Sequence, residues 1–186
     1  MPHARIVKMN DTKMTEKKER SKAIMIRLIK PLDKKSDFDR LTNLLLKCLE
    51  DNDSFKFLSY SFIKFDKDTI ESLTKNHEEQ GIEYIVSETN KLFLGVLAYK
   101  KNKFQGFELF LLAVDKGNQK KGIGQSLINE CIRVANSDNY KSIDSFVFAD
   151  NKKMLRLLIK NDFRPIEIQY HSRADGMDLV KLRKYL

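Results

Sequence analysis

The chain has 186 residues, of which 41% are hydrophobic, 10% aromatic and 33% charged, and it carries a net charge of +9. This length suits one domain, and this composition excludes an intrinsically disordered chain, which would be poorer in Phe, Ile and Leu. The basic excess lies in residues 1–22 and 119–186 rather than in a dense stripe with interleaved aromatics, which argues against a nucleic-acid binder and suits a compact polyanionic ligand at the C-terminal third.

The N-terminal segment and the cysteines exclude further classes. Residues 1–22 are polar and basic without an apolar run, which excludes a secretory signal, and no stretch approaches the ~18 apolar residues of a membrane span. Neither Cys48 nor Cys131 has a Cys/His cluster around it, so we expect no disulfide framework and no metal site. We therefore predict a cytoplasmic protein with a flexible basic tail over 1–22 and a single domain over 23–186.

Hydrophobic periodicity predicts elements in the order β-α-α-β-β-β-α-β-α-β-β. The predicted strands cover 23–29, 82–89, 92–101, 104–114, 143–148, 163–170 and 177–182. The predicted helices cover 37–50, 68–79, 122–136 and 152–160, whereas residues 55–65 are apolar without a clear period. The connectors around Asn90 and Asn102 are short enough only for antiparallel hairpins. The pattern predicts a mixed α/β domain built on one sheet.

Two local signals bound the second predicted helix. Asp68 is a capping residue followed three positions later by Glu71, so we expect the helix to begin there. Gly81 follows the last periodic residue and is expected to end it.

The loop at 115–125 carries the chemistry that the sequence suggests. It joins a strand to a helix that opens with Gly122 and Gly124, and a helix N-terminus binds anions through its unpaired N–H groups. A P-loop would need Lys and Ser or Thr where Ile123 and Gly124 stand, and a dinucleotide fingerprint would need a glycine at Leu127. The simplest interpretation of this loop is a glycine-rich turn that begins a helix and binds nothing.

The spacing Gln119-x-x-Gly122-x-Gly124, after a strand that ends in Leu-Ala-Val, resembles the signature of the GNAT superfamily of N-acetyltransferases. A second segment also resembles the family: Asn151 follows a strand and opens a helix that ends near Phe163. Within it, Met154 stands for a small residue and Asp162 for a glycine. The resemblance covers roughly 23–186. It implies the acyl-coenzyme A N-acyltransferase fold, a mostly antiparallel central sheet that is splayed at the cofactor site and flanked by helices.

The resemblance also implies where acetyl-coenzyme A binds as co-substrate. The signature loop would wrap its pyrophosphate, through Gln119, Lys120, Lys121, Gly122, Ile123, Gly124 and the N–H of Gln125. The main chain of Leu112, Ala113 and Val114 would pair with the pantetheine arm, and Asn151 would hydrogen-bond the same arm. The Val114 N–H would stabilise the oxyanion that forms when an amine attacks the thioester.

For proton transfer, the sequence offers Glu108 as a candidate and departs from the family pattern at Leu158. Glu108 stands six residues before Val114, where several family members carry a catalytic Glu, so it is read either as the general base or as a side chain that only orients substrate. Many members place a Tyr, the general acid, where this chain has Leu158. Tyr140 and Tyr170 are possible substitutes that the sequence does not locate.

The remaining reactive residue types have simpler interpretations. Cys131 lies on the apolar stripe of the signature helix and is expected in the core, and Cys48 is read in the same way. His77 and His171 are isolated, and a surface role is expected for both.

The resemblance implies an enzyme that transfers the acetyl group of acetyl-coenzyme A to a primary amine of a small molecule or peptide by direct attack. The alternative, motivated by Leu158, is a non-catalytic acyl-coenzyme A sensor with the same fold. A third, motivated by the basic tail, is a nucleic-acid- or ribosome-associated protein. The expected partner is the amine substrate, and a homodimer is one option for the oligomeric state. We expect the protein to bind neither a membrane nor nucleic acid.

Overall fold

A computed structural model describes residues 25–29, 35–49, 54–61, 66–89, 92–104 and 106–186. The expected flexible tail over 1–22 lies outside these residues, as do the first two residues of the strand predicted at 23–29 and the last residue of the helix predicted at 37–50.

The predicted order of strands and helices is confirmed. The strands are β1 Met25–Ile29, β2 Ile82–Thr89, β3 Leu92–Asn102, β4 Gly106–Val114, β5 Ser142–Phe148, β6 Arg164–Gln169 and β7 Leu179–Tyr185. The helices are α1 Lys35–Leu49, α2 Lys67–Glu79, α3 Ile123–Ser137 and α4 Lys152–Lys160, with short 3-10 turns at Phe55–Phe57 and Lys116–Asn118. In the part of the chain that is described, no helix has both the length and the apolar character needed to cross a membrane.

The strands form one seven-stranded sheet in the order β1-β2-β3-β4-β5-β7-β6. Neighbouring strands are antiparallel except β4 and β5, which are parallel. The parallel pairing runs only from Phe107↔Ile143 to Leu109↔Ser145, and the carboxyl half of β4 continues beyond it. The Ser145 hydroxyl donates to the Leu109 carbonyl at 3.1 Å, which satisfies a buried acceptor where the pairing ends. The mostly antiparallel sheet, splayed between β4 and β5, is therefore as expected.

A bulge in β4 changes which face its side chains occupy. The β3–β4 register shifts between Ala98 and Tyr99, opposite the residues around Phe110. Before the shift, Leu109 packs in the core beneath α3, and after it Leu111 packs in the core beneath α1 and α2. Because a one-residue shift moves side chains to the other face, β4 supplies both cores. Phe110 itself remains 44% exposed.

The two cores lie on opposite faces of the sheet. Cys131 is fully buried in the first, with α3 and α4, so its predicted core position is confirmed. Cys48 is buried in the second, with α1 and α2, and burial raises the pKa of its thiol to about 12, which suits a packing role and not a nucleophile.

Several element boundaries differ from the sequence predictions, and for three of them the local structure gives the reason. Asp66, and not Asp68, caps α2, since its Oδ1 accepts from the Thr69 N–H at 2.8 Å. Strand β4 begins at Gly106 and not at 104, because Lys103 and Phe104 lie in a turn, and Phe104 is 98% exposed. Strand β7 begins at Leu179 and not at 177, because residues 171–177 form a turn closed by main-chain hydrogen bonds.

The predicted surface position of His77 is wrong. Its side chain is buried between α2 and the sheet, where its Nδ1 lies 2.5 Å from the Tyr84 hydroxyl and its ring meets the edge of Phe110. Burial lowers the pKa of His77 to about 4. His171 is exposed, as expected.

The buried imidazole predicts a pH-dependent stability. The unfolded chain takes up a proton on His77 near pH 6.5, whereas the folded chain resists it until about pH 4, so stability is lost as pH falls through this window. We expect a loss of about 3 kcal/mol between pH 7 and pH 4 from this group. Denaturant unfolding of the wild type and of His77→Gln across that range measures it. Equal pH dependence in the two proteins would contradict the assignment.

Candidate functional site

A cavity of about 820 Å³ opens where β4 extends past β5. Its walls come from β4, the loop before α3, the first turn of α3, one face of α4, the end of α1 and the turn at 54–58. The lining residues are Cys48, Leu49, Ser54, Phe57, Leu58, Leu112, Ala113, Val114, Asn118, Gln119, Lys120, Gly122, Ile123, Gly124, Gln125, Asn151, Lys153, Met154, Arg156, Leu157 and Lys160. The structure thus brings together every sequence-predicted cofactor residue except Lys121.

The β4 wall presents main-chain donors to the cavity. The Asp115 N–H donates to the Leu94 carbonyl, so this pair is hydrogen-bonded across β3 and β4. Hydrogen-bonded and non-hydrogen-bonded pairs alternate along an antiparallel ladder, so the N–H groups of Leu112 and Val114 point away from β3, toward the gap with β5. They are the main-chain donors that an extended ligand beside β4 would meet.

The first turn of α3 forms an anion cradle. Gly122 is the N-cap with φ +82°, a left-handed conformation that favours glycine. The first intrahelical hydrogen bond runs from the Ser126 N–H to the Gly122 carbonyl, so the N–H groups of Ile123, Gly124 and Gln125 precede the helical ladder. All three residues line the cavity, so its positive helix end is open to a phosphate.

Gly124 keeps this cradle open. A Cβ added there would lie 3.3 Å from Leu157 Cδ2, 3.8 Å from Leu112 Cδ2 and 3.9 Å from Val114 Cγ2. A side chain at this position would therefore extend into the space between α3, α4 and β4, beside the open end of the helix.

The loop before α3 is held by its own side chains. The Gln119 amide donates to the Val114 carbonyl at 3.2 Å, and Asn118 donates to the Asp115 carboxylate at 2.6 Å. Lys121 Nζ donates to the Asn118 side chain at 3.0 Å, which agrees with its place outside the cavity lining. Lys120, with φ +62°, is the basic residue of the loop that lines the cavity.

Helix α4 adds a basic row that the sequence reasoning missed. Lys153, Arg156 and Lys160 line the cavity at spacings of three and four residues, which place side chains on one helix face. The spacing is visible in the sequence once the helix is known. Asn151 caps the helix, its Oδ1 accepting from the Met154 N–H at 3.2 Å.

The structure explains two positions, Asp162 and Leu158, at which the chain differs from the family pattern. Asp162, which stands for a glycine, has φ +64°, a conformation that Asp tolerates better than most residues. Leu158 is fully buried in the core beneath α3 and does not line the cavity.

Glu108 lies on β4 below the cavity, level with Asp144 on β5. It is half-buried, and burial raises the pKa of its carboxyl, with Asp144 adding to the rise and Lys100 and Lys181 opposing it. A carboxyl with a raised pKa exchanges protons closer to neutral pH.

Tyr60 interacts electrostatically with Glu108, a relation that the sequence reasoning missed. Burial and the Glu108 charge raise the pKa of its phenol, although the side chain is 56% exposed. The two tyrosines considered from the sequence lie elsewhere: Tyr140 packs against Phe107 in the core, and Tyr170 is exposed beyond β6.

Within the described ranges, no His, Cys, Asp and Glu side chains are grouped so as to hold a metal ion.

Comparison with known proteins identifies the domain. Residues 38–163 match the model of the acetyltransferase (GNAT) family. Acetyltransferase PseH of Campylobacter jejuni is 30% identical over 122 residues, which cover 64% of this chain and 74% of that protein.

Solved structures share the fold. An N-acetyltransferase of Staphylococcus aureus superposes with a TM-score of 0.70 at 18% identity, covering 88% of this chain and 98% of that one. The Salmonella typhimurium protein yncA, solved with acetyl-CoA, gives 0.68 at 17% identity, covering 88% and 94%. The open helix end and the splayed strands fit acetyl-CoA, and the chain belongs to the GNAT family of acetyltransferases, with acetyl-CoA as its co-substrate.

Proposed function

We propose that the protein transfers the acetyl group of acetyl-CoA to a primary amine of a small molecule or a peptide. The observation that carries the proposal is the fork between β4 and β5, the gap where β4 continues beyond its pairing with β5. Main-chain donors and a half-buried carboxyl lie along β4, and the anion cradle of α3 opens into the same cavity. Bound there, acetyl-CoA supplies an activated acyl group as a thioester.

The phosphate end of the co-substrate is proposed to lie on the α3 cradle. The N–H groups of Ile123, Gly124 and Gln125 and the positive end of the helix would receive the pyrophosphate. Gln119 would hold the loop against β4, and Lys120 would add charge. Lys121, which is bonded to Asn118, would contribute only to the positive potential of the loop.

The basic row of α4 is proposed to bind the ribose phosphate of coenzyme A. The double variant Arg156→Gln/Lys160→Gln is expected to lower the affinity for coenzyme A roughly tenfold or more, because each removes a charge-assisted hydrogen bond. The affinity of the same variant for dephospho-coenzyme A, which lacks the ribose phosphate, should fall much less. Calorimetry with both ligands measures the difference. Lys152→Gln, an exposed residue of the same helix outside the lining, is the control. Equal losses for both ligands would contradict this assignment.

The acyl end is proposed to lie along β4. The Val114 N–H is the proposed donor to the thioester carbonyl, where negative charge develops as the amine attacks. The Leu112 N–H shares its orientation and lies two residues nearer Glu108. Asn151 would donate from its amide nitrogen to the pantetheine arm, since its oxygen caps α4.

Glu108 is proposed to accept the proton that the attacking ammonium must lose. Its raised pKa favours a base that works near neutral pH, and Lys100 and Lys181 keep the carboxylate form accessible. The family match favours turnover over the sensor considered from the sequence.

Thiol release from acetyl-CoA over a panel of primary amines, secondary amines and peptides tests the proposal. We expect release with at least one class of primary amine and an N-acetylated product of matching mass. Tight acetyl-CoA binding without release over the whole panel would favour the sensor.

A further inference from the structure

The turn between β6 and β7 carries a buried arginine that the proposed chemistry does not use. The Arg173 side chain is 1% exposed. Its guanidinium donates to both oxygens of Asp150, at 2.8 and 3.2 Å, and to both oxygens of Asp175, each at 2.9 Å. The guanidinium carbon also lies 4.9 Å from the centre of the Phe148 ring. We call Arg173, Asp150 and Asp175 the clasp.

The clasp holds a segment that is distant in sequence. Arg173 Nη1 donates to the Lys56 carbonyl at 3.2 Å, across 117 residues. The next N–H, of Ala174, donates to the Tyr60 carbonyl at 2.9 Å. Lys56 Nζ lies 3.8 Å from the Asp150 carboxylate. The rings of Tyr60 and Phe148 pack edge to face, with their centres 5.3 Å apart. The main chain at 56–60 is thus attached at both ends to the β6–β7 turn.

The attached segment forms part of the proposed active site. Ser54, Phe57 and Leu58 line the cavity, on the apolar side that β4 and α1 also form. Tyr60 lies close enough to Glu108 for the two groups to interact electrostatically. The anion cradle is the first turn of α3, and none of these hydrogen bonds of the clasp runs to α3, so we expect the clasp to act mainly on the acyl and acceptor end of the site.

We propose that Arg173 is a positioning residue that fixes the 54–61 segment against the acyl end of the cavity. This role rests on the proposed function, since it sets the acceptor side of the same site. Arginine suits it because one planar guanidinium can bond two carboxylates and a carbonyl at once, which a lysine cannot.

Stability alone does not account for such a residue. A buried ion pair recovers little net free energy after its desolvation, and in some proteins such a pair specifies one arrangement of chain segments. Asp150 and Asp175 are 23% and 39% exposed, so both can be hydrated if Arg173 is replaced. The main expected consequence of the replacement is therefore a change in the 54–61 segment and not general unfolding.

Arg173→Gln is expected to lower kcat/KM roughly ten- to hundredfold, because displacement of a site wall by about 1 Å has effects of this size. Its affinity for acetyl-CoA should fall, while its affinity for adenosine bisphosphate, the nucleotide half that lacks the pantetheine arm, should stay near wild type. Arg173→Lys should recover part of the loss. Calorimetry with the two ligands and the acceptor KM measure these changes.

A matched control is a second cation that bridges two carboxylates far from the cavity. Lys101 Nζ bonds Glu83 at 2.9 Å and Asp138 at 3.0 Å, and Lys101→Gln should alter neither affinity. If Arg173→Gln does not fold, Asp175→Asn, which keeps Asp150 and the Lys56 contact, is the second variant. It should show a smaller loss of acetyl-CoA affinity, again with the affinity for adenosine bisphosphate near wild type. Equal losses for both ligands, or no loss, would overturn the positioning role. Because the ligand comparison needs no turnover, it stands even if no amine is acetylated, an outcome that would count only against the proposed function.

Discussion

Gly124→Asp is expected to abolish acetyl-CoA binding, with a loss of about a thousandfold or more, because a carboxylate beside a bound phosphate costs several kcal/mol. The new Cβ would lie 3.3 Å from Leu157 Cδ2, in the first turn of α3 that forms the anion cradle. The fold should persist, since an acidic residue in the first turn of a helix is favourable. Calorimetry with acetyl-CoA and a thermal unfolding curve measure the two effects separately.

Gly124→Ala separates charge from bulk. It adds the same Cβ without a charge, and alanine is about 1 kcal/mol more favourable than glycine within a helix. We expect Gly124→Ala to fold and to bind acetyl-CoA with a modest loss that reflects the contact with Leu157. Unchanged affinity in Gly124→Asp would remove the α3 cradle from the proposed site.

The parts of the site that could be predicted from the sequence are those that local pattern defines. The glycines at 122 and 124 open a helix after a strand, and a helix end binds anions wherever it occurs, so the loop residues were recognisable without a fold. The order of elements was recognisable for the same reason, because each strand and helix carries its own period.

The residues that were missed depend on tertiary contacts. The segment that holds Tyr60 is attached to the β6–β7 turn by Arg173 and Ala174, over more than a hundred residues. His77 appeared isolated in the sequence, yet α2 packs it against the sheet. Contacts between segments that are distant in the sequence give no periodic signal, so neither position could be assigned in advance.

Glu108→Gln tests the proposed mechanism most directly. Removal of a general base costs roughly 100- to 10,000-fold in rate, and we expect kcat to fall within that range. Acetyl-CoA affinity should stay near wild type, because Glu108 lies outside the cavity lining. Glu83→Gln, on β2 two strands away and bonded to Tyr99 on the opposite face of the sheet, is the matched control and should keep wild-type turnover.

The pH profile distinguishes a base from a substrate anchor. Because burial raises the pKa of Glu108, wild-type kcat/KM should rise with pH through a limb that lies above the ordinary carboxyl range. Glu108→Gln should lack that limb, and its deficit should shrink as pH rises and more of the amine is already deprotonated. A higher amine KM with kcat intact would instead make Glu108 an anchor for the ammonium, with the base elsewhere. If neither parameter moves, the carboxyl faces away from the reacting atoms, and the proton must leave through water in the fork between β4 and β5.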